Sequence, residues 1–134
     1  MKILSMSVLL LLISLQSYAP EINDKTIYIE EAKTMQPFEK LWNAVCTVES
    51  TNNPLAINEE EQAYGIAQIR QCRIDHFNKL TKKNYTLQDC LNPKIAKEVF
   101  MRFATKLDLE MTARNWNGSG KMTVIYWGKV KKYL

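Results

Sequence analysis

The stretch ESTNNPLAINEEEQAYGIAQI, residues 49–69, decides how the rest of the chain is read. Just upstream of it, Phe38, Leu41, Trp42, Val45, Cys46 and Val48 recur at steps of three and four residues, a spacing that predicts a helix with one buried stripe. Glu49 extends that helix by one step. Its side chain falls beside the stripe, because Val45 lies four residues before it and Cys46 three before it. A carboxylate at the edge of an apolar face is partly desolvated, and desolvation raises its pKa. The segment from Ser50 to Pro54 then breaks the helix, because Pro54 pushes its predecessor toward extended geometry and the small polar residues favour turns. The run Glu59-Glu60-Glu61 reads as a solvated loop. Residues Ala63 to Ile69 read as a short strand or a helix start, with Gly65 permitting close backbone approach.

Downstream, Ile74, Phe77 and Leu80 mark a further helix that ends near Asn84. Thr86 and Asp89 have the spacing of a capping pair, and Asn92-Pro93 reads as an N-cap followed by proline at the first helical position. The helix opened there places Ile95, Ala96, Val99, Phe100, Phe103 and Leu107 on one face. A short helix ending at Arg114 or Asn115 follows, then a turn at Gly118-Ser119-Gly120. In the last stretch Val124, Tyr126, Trp127, Val130 and Tyr133 are spaced as a helix with basic residues between them. There is no internal repeat or low-complexity segment, so the expected fold is a single all-α globular domain over residues 36–134, preceded by an N-terminal arm over residues 20–35.

Residues 1–19 have the layout of a secretory signal peptide: Lys2, an apolar run from Ile3 to Leu15, and the small-residue ending Ser17-Tyr18-Ala19. The run is short against the ~20 residues that span a bilayer. Pro20 is an awkward neighbour for cleavage, so an uncleaved anchor is the alternative, and contact with a membrane is expected through this segment alone. Export to the periplasm, the cell envelope or the medium is expected either way. With 134 residues, 46% of them hydrophobic, the chain suffices for one modest core, and a monomer is expected. The formal net charge of +4 is too low, and no known module is present, for a nucleic-acid binder. Neither a metal site nor a cofactor is expected, since there is one histidine, His76, and no C-x-x-C pair. Of the three cysteines, Cys46 falls on the apolar helix face, which leaves Cys72 and Cys90 as the favoured pair for a disulfide in an exported protein.

One well-placed carboxylate, two amide-rich segments and many aromatics suggest carbohydrate chemistry. Aromatic faces stack on sugar rings, amides bond hydroxyl and acetamido groups, and a Glu of raised pKa protonates a glycosidic oxygen. The order of the motifs resembles that of the soluble lytic transglycosylase (SLT) family, part of the lysozyme-like superfamily and close to goose-type lysozyme. The family pattern E-S-x-F-x-P-x-A, then A-x-G-L-M-Q, is similar to Glu49, Ser50, Pro54 and Ala56, then Ala63, Gly65, Ile66 and Gln68. A later A-Y-N-A-G element resembles Trp116-Asn117-Gly118, and a final Y-V-x-K-V element resembles Tyr126, Lys129 and Val130. Asn52, Ala67 and Ser119 depart from the pattern, which leaves the acid and its neighbouring amides in place.

The resemblance implies a lysozyme-like fold, glycan strands of peptidoglycan as the partner, and cleavage of the β-1,4 bond between N-acetylmuramic acid and N-acetylglucosamine. Glu49 is then the general acid, and afterwards the base that draws the muramic C6 hydroxyl into a 1,6-anhydro ring. Ser50 is a candidate brace for Glu49. Gln68 and Asn117 are candidate substrate amides, Tyr126 a hydroxyl near the acid, and Trp116 and Tyr64 candidate walls of the sugar groove. A hydrolytic lysozyme on the same fold is the alternative, with Asp75 or the Glu59–Glu61 loop supplying a base. A non-catalytic wall-binding protein is a third reading.

Overall fold

The computed structural model describes the backbone of residues 24–104 and 108–134, and the side chains of those residues from Gln36 onward. The leader at 1–19, the side chain of Tyr28 in the expected arm and the position of Leu107 lie outside the described residues. The first helix, α1, spans Asp24–Ser50, so the helix predicted from Phe38 is already under way at Asp24 and passes through Pro37. The break after Ser50 arises before Pro54 acts. Thr51 and Asn52 both adopt positive φ (54° and 63°), and their N–H groups bond back to the carbonyls of Thr47 and Cys46 at 3.1 Å. A β-branched residue rarely takes that conformation, so the reversal at the end of α1 is held by its surroundings.

The 49–69 stretch is neither all loop nor a helix start. It forms an antiparallel sheet of three two-residue strands, β1 (Ile57–Asn58), β2 (Ala63–Tyr64) and β3 (Ile69–Arg70), in that order. Ile57 pairs with Tyr64 and Asn58 with Ala63, then Ala63 with Arg70 and Tyr64 with Ile69. The alternation of buried Ala63, Gly65, Ala67 and Ile69 with more exposed neighbours places one face of this stretch on the core. Gly65 is required there for two reasons. Its φ is +79°, and a Cβ at this position would lie 2.1 Å from the Cys90 carbonyl oxygen.

Four helices follow: α2 (Gln71–Thr81), α3 (Pro93–Ala104), α4 (Leu109–Asn117) and α5 (Met122–Val130). The capping pair forms as its spacing requires, with the Thr86 N–H and hydroxyl both donating to Asp89 Oδ2 (2.7 and 2.8 Å) at a 3-10 turn over Gln88–Leu91. Asn92 Oδ1 accepts from the Lys94 N–H and Pro93 opens α3. Asp108 caps α4 by accepting from the Met111 N–H, and Gly118 ends it.

Helix α1 is the hub, touching α3, α4 and α5. Leu41, Trp42, Val45 and Cys46 from α1 meet Ile74 and Phe77 from α2, Val99 and Phe100 from α3, Ala113 from α4, and Tyr126 and Val130 from α5. Phe100 sits between Trp42 (ring centroids 5.3 Å apart) and Trp116 (5.0 Å, edge-on). At the end of α2, in the first turn of α5 and in the 3-10 turn over Lys131–Tyr133 that follows it, the sequence pattern overreaches, since Leu80, Val124 and Tyr133 are 46%, 51% and 59% exposed. The molecule is a mostly helical domain with the small sheet set against the C-terminal end of α1.

Candidate active site

Glu49 is the penultimate residue of α1 and half-buried, where the stripe of Val45 and Cys46 gives way to the groove. Desolvation by burial pushes its pKa above the ordinary Glu value. The Tyr126 hydrogen bond and the positive charges of Arg70 and Lys129 pull it down, whereas Glu61 adds to the rise. Tyr126 arrives from α5, 77 residues away in sequence, and its hydroxyl donates to Glu49 Oε1 at 2.6 Å. Burial, and then the Glu49 charge, push the Tyr126 pKa far upward, so this hydroxyl keeps its proton.

The groove holding Glu49 is lined by Glu61, Gln68, Ile69, Arg70, Cys72, Arg73, Trp116, Asn117 and Gly118 and encloses about 120 Å³. It runs between β3, the β1–β2 turn and the C-terminal end of α4. A larger recess of about 720 Å³ adjoins it across Gly118, along α4 and the 118–120 turn, and does not contain Glu49. Glu61, in the turn between β1 and β2, pairs with Arg70 on β3, so one negative and one positive charge lie bound together beside Glu49.

Gln68, Trp116 and Asn117 all line the groove that holds Glu49. Gln68 takes a positive φ (48°), and its Nε2 donates to the Gly65 carbonyl at 2.9 Å and the Ala56 carbonyl at 3.3 Å. Its amide nitrogen therefore holds the loop, which leaves the amide oxygen for a ligand. The Trp116 indole N–H donates to the Ala67 carbonyl at 3.2 Å, which pins the ring between the sheet segment and α4.

Three expectations are corrected. The Ser50 hydroxyl does not hold Glu49: it donates to the Ile66 carbonyl at 2.7 Å and accepts from the Asn53 N–H at 3.0 Å, tying the end of α1 to the β2–β3 segment. Tyr64 packs against the core and is not among the residues lining the groove. Cys72 and Cys90 form no disulfide, and Cys46, Cys72 and Cys90 are all free. Cys72 faces the groove from the first turn of α2, whereas the Cys90 thiol is buried and contacts the Thr86 carbonyl. Asp75 is exposed on α2, where the Gln71 amide bonds it, and is not a groove residue.

Sequence reasoning missed Arg70 and Arg73. Arg70 carries a weak signal, since it alternates with Gln68 across the buried Ile69 and so shares the Gln68 face of an extended segment. Arg73 carries none, because the rings it meets come from α3 and α4.

A helical domain with one half-buried carboxylate at a helix end, braced by a tyrosine and facing a groove lined with amides and an indole, has the features of a lysozyme-like glycan-cleaving protein. The family model for the transglycosylase SLT domain matches residues 27–129, and the chain belongs to that family. At the level of the family the activity is peptidoglycan cleavage of the lytic transglycosylase type, acting on glycan strands in the cell envelope. Searches of curated proteins and of solved structures give no match. Among the described residues, no helix is long and apolar enough to cross a membrane, and no group of three or more His, Cys, Asp or Glu side chains could hold a metal ion.

Proposed function

We propose that this chain is a lytic transglycosylase that cuts the β-1,4 bond between N-acetylmuramic acid and N-acetylglucosamine and closes a 1,6-anhydro ring on the muramic residue. The observation that carries this reading is Glu49, half-buried with a raised pKa and bonded by Tyr126 at 2.6 Å, within a groove lined by Gln68, Trp116 and Asn117. In neutral form Glu49 delivers its proton to the glycosidic oxygen as the bond to the anomeric carbon breaks. The substrate's acetamido group and the dipoles of the groove stabilise the developing positive charge. The resulting carboxylate then takes the proton of the muramic C6 hydroxyl while that oxygen bonds to the anomeric carbon, which returns Glu49 to its starting state. Burial, which raises the Glu49 pKa, favours the protonated form that the first half needs, and the Tyr126 hydrogen bond favours the carboxylate that the second half needs. The Tyr126 proton steadies the carboxylate in the second half.

A hydrolytic lysozyme is the second reading, favoured by Glu61, which lines the same groove and supplies a second carboxylate. Its pairing with Arg70 holds it in an ion pair, so Glu49 alone is assigned to chemistry. Mass spectrometry of digested peptidoglycan separates the readings: anhydro-muramic ends are expected, and reducing muramic ends would select the hydrolase. Glu49→Gln is expected to lower release of soluble fragments by about 10²–10⁴-fold, the usual contribution of a positioned general acid. Equal release by wild type and a folded Glu49→Gln protein would instead favour the non-catalytic reading.

A further inference from the structure

The face of α5 turned away from the core bears more apolar surface than a solvated helix needs. At about 100° of turn per residue, Lys121, Ile125 and Gly128 run up the middle of that face, with Met122 and Lys129 on one flank and Val124 on the other, and all of these are exposed. Thr123, Tyr126 and Val130 fill the opposite, buried side. The 3-10 turn over Lys131–Tyr133 prolongs the exposed face. Among the described residues nine large hydrophobic side chains are exposed, and five of them, Met122, Val124, Ile125, Tyr133 and Leu134, lie in this one segment. Exposed apolar residues scattered singly need no explanation, whereas a concentration of them marks a surface that something covers.

The charge of the same segment says what covers it. Residues 121–134 carry four lysines, Lys121, Lys129, Lys131 and Lys132, and no Asp or Glu. All four are exposed, and no ion pair among the described residues includes any of them. The acids at the start of α4, the helix packed along α5, are engaged elsewhere: Asp108 accepts from the Met111 N–H and Glu110 pairs with Arg114. A soluble polyanion would answer the lysines and leave the apolar side chains in water. A protein partner would answer the apolar side chains, but lysine is depleted where protein interfaces are driest, and here lysines stand between the apolar residues. The boundary of an anionic bilayer answers both, because apolar tips enter the acyl region while lysine stems reach up to the lipid phosphates. Tyrosine is favoured at the same depth. No helix among the described residues is long and apolar enough to cross a membrane, so contact of this kind lies on the surface.

We propose that the exposed face of α5, with the 3-10 turn that follows it, docks the domain on an anionic phospholipid surface. This contact is separate from the one expected of residues 1–19, and it holds for a transglycosylase or a hydrolase alike. None of Met122, Val124, Ile125, Lys131 and Lys132 lines the groove of Glu49, and Tyr126 meets the acid from the buried side of the same helix, so docking and cleavage use different side chains.

The test uses the full chain and vesicles of phosphatidylcholine with or without phosphatidylglycerol, read by co-sedimentation and by quenching of tryptophan emission with brominated lipid. Binding is expected to be tighter to the vesicles with phosphatidylglycerol and to weaken with salt. Each lysine near an anionic surface strengthens binding about fivefold, so Lys131→Gln together with Lys132→Gln should weaken it about 25-fold. Ile125→Ser withdraws one apolar side chain from the boundary and should weaken it about tenfold. All three side chains are exposed, so these variants are expected to fold, with circular dichroism as the check, and to cleave soluble glycan fragments as wild type does. Trp127 is half-buried on α5, so Trp127→Phe should remove most of the quenching. Residues 1–19 hold a single basic side chain, Lys2; equal binding to both vesicles that no variant alters would be binding through that segment and would overturn the proposal. A loss with the lysine variant but none with Ile125→Ser would overturn it in favour of a soluble polyanion, and self-association without vesicle binding would overturn it in favour of a second copy of the chain.

Discussion

Replacing Tyr126 by Phe is expected to move the pH dependence of cleavage upward. The Tyr126 hydroxyl donates to Glu49 Oε1 at 2.6 Å and is itself held protonated by burial, so it favours the carboxylate over the carboxylic acid. A hydrogen bond to a charged group contributes about 1.5–3 kcal/mol, and 1.36 kcal/mol corresponds to one pKa unit. Glu49 is only half-buried and water reaches the groove, so the lower end of that range applies and a rise of about one unit is expected. A general acid works while protonated, so the alkaline limb of kcat/KM should move up by about one pH unit. The second half of the reaction needs the carboxylate, so kcat at neutral pH should fall several-fold even though more enzyme carries the initial proton. The assay is the release of muropeptides across the pH range, with circular dichroism to show that the fold persists. Phe fills the same ring space in a position that is 7% exposed, so the fold should hold. An alkaline limb that stays in place or moves down in a folded variant would refute the assignment of Tyr126 as the group that tunes Glu49.

Other consequences follow from the same geometry. Gly65→Ala should fail to fold or lose several kcal/mol in urea denaturation, since its Cβ would meet the Cys90 carbonyl oxygen at 2.1 Å in a residue of positive φ; near-wild-type stability would contradict the packing of β2 on the 3-10 turn. Ser50→Ala removes the donor to Ile66 and the acceptor for Asn53, and should cost about 1–2 kcal/mol in stability with a fall in cleavage as Gln68 loses its fixed loop; unchanged stability would show that these bonds are not made. Cys72 should react quickly with a thiol reagent in the folded protein, whereas burial pushes Cys46 and Cys90 up to about 12 and should keep both silent until unfolding. Fewer than three reactive thiols in protein unfolded without reductant would restore a disulfide. Because the folded-state pKa of Glu49 lies above its unfolded value, its stabilising contribution is present below the ordinary Glu pKa and is lost as pH rises through the folded value. Glu49→Gln should therefore be more stable than wild type at neutral pH, with the gap closing in acid, as thermal melts across pH would reveal.

Much of the architecture was legible because it depends on local patterns. The stripe of α1, the Thr86–Asp89 cap and the Asn92-Pro93 start of α3 each follow from side chains a few residues apart. The exposure of Leu80 and Val124 was not legible, because periodicity names a helix face and the neighbouring helices decide how far along it burial extends. The helix break after Ser50 was expected from Pro54 and from the small polar residues before it; those residues make it, with Thr51 and Asn52 at positive φ, a conformation that tertiary restraint holds. The disulfide expectation failed because spacing along a chain contains no direction, and the Cys72 and Cys90 thiols serve different surroundings.

By itself the sequence determined that Glu49 ends a helix beside an apolar stripe, and that Gln68, Trp116 and Asn117 stand in motifs placed in a fixed order behind it. Those properties follow from helical spacing and from the identity of a few residues, both of which are local. Only the tertiary structure decided that Tyr126, rather than Ser50, bonds the acid, that Glu61 and Arg70 face it as a pair, and that Arg73 is clamped between Phe103 and Trp116. Each of these joins residues from different elements. Their meeting depends on how helices and sheet pack around one core, which no local pattern specifies.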